Sequence, residues 1–540
     1  MTVTSHIDTF ARDNLPPKEL WPELILEAEH VQYPDRLNCA TELLDSWIAK
    51  GWGEKPAIRD SEHGLTTYGQ LHGFANQIAH LFVTEMRLVP GNRILLRGSN
   101  NLQMCACWLA AMKAGLVVVV TMPQLRAREL VDVIAKSKVQ AAICDSALKE
   151  ELVMAQTQCP SLTRIVYFHD DSLQGLHPLF KNNPTTFTNV DTAADDVALI
   201  AFTSGSTGRP KGTLHFHRDV MVICDCFPRF TVQMEPTDIC IGTPPLAFTF
   251  GLGALLLFPL RYGASTVLLE RATPASMLQA IDDHGATISW TAPTFYRLMA
   301  PLAKKYKLTT LKKSVSAGEA LPIGTRTLWR EATGIEMIDG IGATELLHVF
   351  ISASGADVRP GATGKPVPGY IACVLGEDGQ PVPTETVGRL AVKGATGCRY
   401  LADDRQRSYV HNGWNLTGDA YKMDADGYFW YQARTDDMII SAGYNIAGPE
   451  VEEALLMHPA VAECAVIGIA DEERGMIVKA FVVLRAGTSR DEGVVKELQD
   501  FVKKSIAPYK YPRVVEFKEE LPRTETGKLQ RFKLRQEAAY

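Results

Sequence analysis

Short apolar runs of strand length alternate with helix-length stretches through the first half of the chain, and this alternation constrains the fold more than any other feature. Residues 93–97, 116–121, 141–144, 197–202 and 264–269 read as buried strands. Residues 102–114 and 127–137, set among them, have the length and pattern of helices. Such a sequence predicts an α/β fold of layered β-sheets and helices with largely parallel strands. The pattern changes near residue 425. A strand over 426–431 leads through Arg434-Thr-Asp-Asp437 to a short strand, a helix over 449–457, strands at 464–469 and 479–484, and a helix over 493–505. That set is enough for a small α+β domain. With 540 residues the chain exceeds one ordinary domain. The expected division is a large N-terminal domain over 1–435 and a small, mobile C-terminal domain over 436–540, hinged near Asp436.

Composition narrows the function by exclusion. Hydrophobic residues make up 46% and charged residues 22%, the balance of a globular protein with substantial cores. A formal charge of −7 argues against a nucleic-acid binder, which normally carries a basic stripe. The first residues lack the basic leader and apolar core of a signal peptide. The strongest apolar run, 116–120, is far short of the roughly 20 residues that span a bilayer. No membrane association is expected. Among 11 cysteines none form Cys-x-x-Cys, the nearest spacings being Cys105/Cys107 and Cys224/Cys226. Reduced, buried thiols in a cytoplasmic protein are the expectation, with neither a disulfide framework nor a zinc site.

The most informative segment is Thr203-Ser-Gly-Ser-Thr-Gly-Arg-Pro-Lys-Gly212, directly after the apolar strand 197–202. Glycines let a backbone turn expose its N–H groups, hydroxyls add donors, and lysine adds positive charge; together they suit a polyphosphate. The Gly-x4-Gly-Lys-[Ser/Thr] spacing of a Walker A loop is absent. Four further segments stand out in order: Asp339-Gly-Ile-Gly-Ala-Thr-Glu345, Leu416-Thr-Gly-Asp419, Arg434-Thr-Asp-Asp-Met-Ile-Ile-Ser-Ala-Gly443 and Pro522-Arg-Thr-Glu-Thr-Gly-Lys528. Taken singly each has an ordinary explanation. An Asp after Thr-Gly is commonly a turn residue, and an isolated Glu or Lys a solvated charge.

In this order the five segments resemble the adenylate-forming superfamily of acyl- and aryl-CoA ligases, luciferases and peptide-synthetase adenylation domains. The resemblance spans residues 50 to 535 and implies roles for each. Thr203, Ser204, Gly205, Ser206, Thr207, Gly208 and Lys211 would cradle the β- and γ-phosphates of ATP. Glu345 would hold Mg²⁺, a hard cation that prefers carboxylate and phosphate oxygens, and Thr344 would contact the α-phosphate. Gly318, Glu319, Ala320, Asp339 and Gly340 would flank the adenine, while Asp419, assisted by Arg434, would accept from the ribose hydroxyls. Lys528 would bridge the acid carboxylate and the α-phosphate in adenylation. Asp436 would be the hinge, and Ser441, Ala442, Gly443 and Tyr444 would border the tunnel for coenzyme A. One departure is Ile341, where many members place an aromatic residue against adenine.

The reaction so implied has two steps. An acid and ATP form acyl-AMP and pyrophosphate, then the thiol of coenzyme A displaces AMP. The acid pocket is expected at Pro245-Leu-Ala-Phe-Thr-Phe-Gly-Leu-Gly253, with Ala247, Phe248, Thr249, Phe250 and Gly251 together with His348. Bulky aromatics there suit a flat ring and obstruct a long acyl chain. Gly-Ile-Gly-x-Thr-Glu, the Phe250 segment and Ser441-Ala-Gly-Tyr-Asn-Ile-Ala-Gly-Pro-Glu450 resemble benzoate and 2-aminobenzoate-CoA ligases, which points to an aromatic acid. Alternatives are an enzyme that loads a carrier protein and a ligase for aliphatic acids. The chain shows no appended carrier after Lys528, and free coenzyme A is the expected acceptor. The partners are therefore small molecules, and a homodimer is left open.

Overall fold

The computed structural model describes residues 3–203, 210–435, 437–441, 444–471, 474–506, 508–523 and 529–538. Its first sheet has six strands in the order Arg164–Phe168, Ala141–Asp145, Arg93–Arg97, Val117–Thr121, Val197–Thr203 and Lys211–Phe216. All neighbours are parallel except the last pair, which is antiparallel. Every residue of Arg93–Arg97 and of Ala141–Asp145 is buried, as required of parallel strands covered on both faces. The helix Leu102–Lys113 is buried almost all round and is built from Ala, Cys, Met, Leu and Trp. Asn101 caps it by accepting from the Met104 N–H at 3.0 Å. The buried ammonium of Lys113 is matched by Asp45 at 2.6 Å.

A second sheet of nine strands runs Lys365–Pro366, Val349–Ala353, Met337–Gly342, Lys313–Ala317, Ile288–Thr291, Ile239–Gly242, Ser265–Val267, Pro56–Asp60 and Gly64–Thr67. From Met337–Gly342 to Pro56–Asp60 the pairing is parallel, so the carboxyl ends of these strands open on one side. Ligands of open α/β sheets bind at such ends. A third, antiparallel sheet contains Tyr370–Leu375, Gly388–Gly394, Val410–His411, Trp414–Met423 and Phe429–Arg434. The fourth sheet joins Tyr444–Ile446, Ile439–Ser441, Gly475–Leu484, Val461–Asp471 and Val514–Phe517. With the helices Gly448–Leu456 and Glu492–Ser505 it encloses its own core around Ile439, Val451, Leu455, Val482 and Leu498.

The α/β architecture matches the expectation, and most element bounds agree to within a few residues. The strand expected at 426–431 begins later, at Phe429. Asp424 is the reason: its Oδ1 accepts from the N–H groups of Asp426 and Tyr428 at 3.0 and 2.8 Å, which holds that stretch as a turn. All eleven cysteines are free, nine buried and two partly buried, as expected of reduced thiols. Among the described residues no helix is long and apolar enough to cross a membrane.

Segment 398–401 is zipped onto Lys211–Phe216 by backbone hydrogen bonds. The Leu214 N–H donates to Arg399 O and the Leu401 N–H to Gly212 O, both at 2.8 Å. Arg399, fully buried, donates to Asp219 at 2.8 Å and lies over the ring of Phe216 at 4.2 Å. Removing one partner of a buried ion pair strands the other charge. Asp219→Ala should therefore cost about 3–5 kcal/mol, read as a lower urea midpoint; a loss below about 1 kcal/mol would mean that water reaches the pair.

Candidate active site

The segment expected to bind phosphate begins at the end of the strand Val197–Thr203. Thr203 ends its strand directly opposite Lys211, the first residue of the antiparallel partner. Ser204, Gly205, Ser206, Thr207 and Gly208 lie outside the described residues. The period of two along Lys211–Phe216 puts Lys211, Thr213 and His215 on one face. His215 turns that face towards the second sheet, donating through Nε2 to the Thr344 carbonyl at 2.8 Å. Burial lowers the His215 pKa to about 4, so the ring is a neutral donor.

Thr344 and Glu345 form a short 3₁₀ turn after the strand Met337–Gly342. Leu347, which follows it, has φ of 71°, a conformation that costs a non-glycine residue free energy and is held by its surroundings. Glu345 is buried, and its Oε1 accepts from the Tyr400 hydroxyl at 2.5 Å. The same hydroxyl lies 3.3 Å from Lys211 Nζ. Tyr400 was not legible as a site residue: it is 189 residues from Lys211, outside every motif, and reaches the site only through the pairing of segment 398–401.

Gly318, Glu319 and Ala320 follow the strand Lys313–Ala317, and Asp339 and Gly340 lie on the adjacent strand in the register Ser316↔Asp339 and Ala317↔Gly340. The two segments thus meet at the carboxyl ends of parallel strands. Gly318 has φ of 89°, a turn that favours glycine. Asp339 Oδ1 is buried with no hydrogen-bond partner in the structure, and burial raises the carboxyl pKa to about 7. An unpartnered acceptor there suits an exocyclic amine. Glu319 is engaged otherwise: Oε2 accepts from the Thr294 hydroxyl at 2.7 Å and Oε1 faces Arg523 at 3.5 Å. Ile341 packs partly buried against the main core.

Asp419 and Arg434 are a cross-strand pair in the third sheet. Arg434 NH1 donates to Asp419 Oδ1 at 3.0 Å and to Thr417 O at 3.2 Å. The arginine therefore orients the carboxylate. Gly418 makes room for it, since a Cβ there would lie 2.7 Å from Arg434 NH2.

In the acid-pocket segment, Ala247, Phe248, Thr249 and Phe250 are partly buried and Gly251 is buried. A Cβ on Gly251 would sit 2.1 Å from Pro245 O, and one on Gly253 would sit 2.5 Å from the His348 ring. These glycines let the helix Thr249–Leu252 lie close against its surroundings. The His348 ring is 4.5 Å from Phe258, 5.6 Å from Phe250 and 5.7 Å from Phe227, and Trp290 adjoins all three phenylalanines. His348 donates through Nε2 to Phe250 O at 3.4 Å, and Nδ1 is buried with no hydrogen-bond partner in the structure. Burial lowers its pKa to about 3 and keeps it neutral. Phe227, Phe258 and Trp290 were missed because three separate elements bring them together.

At the expected hinge, Thr435 donates through N and Oγ1 to Gly418 O at 3.0 and 3.1 Å. Ser441 is buried and ends its strand, and the backbone of Tyr444 begins the next. Asp436, Ala442, Gly443 and Lys528 lie outside the described residues. Arg523 and Leu529, on either side of Lys528, are bridged to each other, and Arg523 joins Glu463 at 2.8 Å as well as facing Glu319. Arg523 thus links the C-terminal sheet, through Glu463, to Glu319.

A family model described as AMP-binding enzyme matches residues 46–399, and one described as AMP-binding enzyme C-terminal domain matches residues 450–528. The chain belongs to the AMP-binding enzyme family. It is an AMP-forming acid–CoA ligase, with an aryl or acyl acid, ATP and coenzyme A as its substrates. Benzoate–CoA ligase of Thauera aromatica is 34% identical over 94% of this chain and 97% of its own. The mitochondrial acyl-coenzyme A synthetase ACSM3 of Homo sapiens is 32% identical over 93% of this chain and 90% of its own. A crystal structure of the anthranilate CoA ligase AuaEII with anthranoyl-AMP superposes with a TM-score of 0.90 at 31% identity, covering 95% of this chain and 99% of that one.

Three buried histidines, His215 and His348 of the candidate site and His217 beside Cys39, make stability depend on pH. Burial depresses His215 to about 4 and His217 and His348 to about 3. In the unfolded chain a histidine takes up its proton near pH 6.5, so below that pH the unfolded state binds protons that the folded state refuses. Asp339, raised to about 7, opposes this as a single group. Stability should fall as pH drops from about 6.5 towards 4, each histidine contributing up to about 2 kcal/mol at pH 5. Urea midpoints at pH 7.5 and 5 measure it; equal midpoints would mean that the rings are protonated in the fold.

Proposed function

We propose that the chain is an aromatic acid–CoA ligase acting on 2-aminobenzoate or benzoate. The aromatic enclosure around Phe250 and His348 carries this reading. Phe227, Phe250, Phe258 and Trp290 favour a flat ring by area and by edge contacts. A proton on Nε2 makes Nδ1 of His348 an acceptor, which complements an ortho amino N–H. The Thauera aromatica and AuaEII relatives, which by their names act on benzoate and anthranilate, support the same acid class.

In the first step two anions, carboxylate and triphosphate, must meet, so catalysis is mainly positioning and charge neutralisation. Lys211 and Thr203 with the residues between them hold the β- and γ-phosphates, and Thr344 contacts the α-phosphate. Asp419, oriented by Arg434, takes the ribose, while Asp339 and Gly340 take the adenine. The donor set around Glu345 fits Mg²⁺, because one carboxylate beside phosphate oxygens is what this ion prefers while it keeps several waters; when bound it supplies positive charge against the departing pyrophosphate. Lys528, a compact cation on a flexible stem, bridges the acid and the α-phosphate. The second step needs no such lysine. The C-terminal domain, residues 436–540, turns about Asp436 and presents Ser441, Ala442, Gly443 and Tyr444 to the pantetheine arm.

Two measurements test this. With ATP and coenzyme A present, kcat/KM for 2-aminobenzoate or benzoate should exceed that for every medium- or long-chain fatty acid, and His348→Ala should harm the ortho-substituted acid more than benzoate. A preference for octanoate or longer acids would remove the aromatic assignment and leave the ligase class standing. Lys528→Ala should slow acyl-AMP formation by about a hundredfold or more while sparing thioester formation from supplied acyl-AMP; an equal loss in both would contradict the division of labour between the two steps.

A further inference from the structure

Lys211 and Glu345 come from different sheets, and each carries a charge at the nucleotide. One phenol touches both. Tyr400 OH is 2.5 Å from Glu345 Oε1 and 3.3 Å from Lys211 Nζ, and the tyrosine is fully buried. Facing a carboxylate, the phenol must donate, which leaves its lone pair to accept from the ammonium.

The phenol is itself held from several sides. Its backbone N–H donates to Gln406 Oε1 at 2.8 Å, and Tyr409 packs edge-on at 5.7 Å. The flanking residues Arg399 and Leu401 are hydrogen-bonded to the strand that carries Lys211. This is a built arrangement: a side chain without charge, fixed by backbone pairing, sits between the cation and the anion that the triphosphate end of ATP requires.

We propose that Tyr400 is a positioning residue for metal-bound ATP: it ties down Oε1 of Glu345, so that the other carboxylate oxygen is left for Mg²⁺, and it holds the Lys211 ammonium by accepting its hydrogen bond. The proposal rests on the assignment of Glu345 to the metal and Lys211 to the phosphates. A hydrogen bond to a charged group is among the stronger ones in a protein, and its loss frees the Glu345 rotamer.

The test is calorimetric binding of ATP without acid or coenzyme A, with Mg²⁺ and with EDTA, to the wild type and to Tyr400→Phe. Tyr400→Phe should weaken binding of Mg·ATP by about tenfold or more, raise the Mg²⁺ concentration needed for half-maximal ATP binding, and change metal-free ATP binding much less. In a Glu345→Gln background the same substitution should add little to the Mg²⁺ dependence. Equal losses with and without Mg²⁺ would overturn the proposal, as would no loss at all. Wild-type ATP binding that ignores Mg²⁺ would instead overturn the underlying assignment of Glu345. Should the phenylalanine variant fail to fold, 3-fluorotyrosine at position 400 keeps the shape and alters the donor. An unchanged Mg²⁺ dependence in that protein would overturn the proposal, and a changed one would support it.

Discussion

The strand Lys211–Phe216 is held from three sides, and the nucleotide end of the site depends on that arrangement. One edge pairs with Val197–Thr203, which sets Thr203 opposite Lys211. The other edge carries segment 398–401, locked by the hydrogen bonds of Leu214 and Leu401 and by the buried Arg399–Asp219 pair. From its face His215 reaches across to the carbonyl of Thr344. A lysine on a free edge strand would sweep a wide volume. Here the backbone beneath it is fixed relative to the turn that bears Glu345, so the first and second sheets share one frame of reference.

That frame explains why charge can be concentrated where chemistry needs it. Asp419 is steadied by its cross-strand partner Arg434, which is itself exposed, and Glu345 by a buried phenol. Asp339, by contrast, keeps a buried oxygen with no partner in the structure, the arrangement expected where a ligand completes the hydrogen bonding. The neutral, enclosed His348 is a polar group among Phe227, Phe250 and Phe258 that carries no charge.

Much of this was legible in the sequence where the signal is local. The buried parallel strands announce themselves as apolar runs, and Asp419 and Arg434 lie in motifs whose spacing survives as register. Thr344 and Glu345 were found the same way. Tyr400, His215 and the cage of Phe227, Phe258 and Trp290 were not. They act through contacts between residues far apart in the chain, and an aromatic or histidine in a buried strand reads first as core. The alternation along Lys211–Phe216 does place His215 on the face of Lys211, a signal that was present and unused. Element bounds slipped where a side chain competes with the ladder, as Asp424 does before Phe429.

The central claim is that this site joins an acid to AMP before any thiol takes part. Exchange of labelled pyrophosphate into ATP, followed without coenzyme A, tests that claim most directly. The account predicts exchange that depends on 2-aminobenzoate or benzoate and on Mg²⁺, with AMP released only after coenzyme A is added. Exchange that requires coenzyme A, or ATP cleaved to ADP and phosphate, would contradict it.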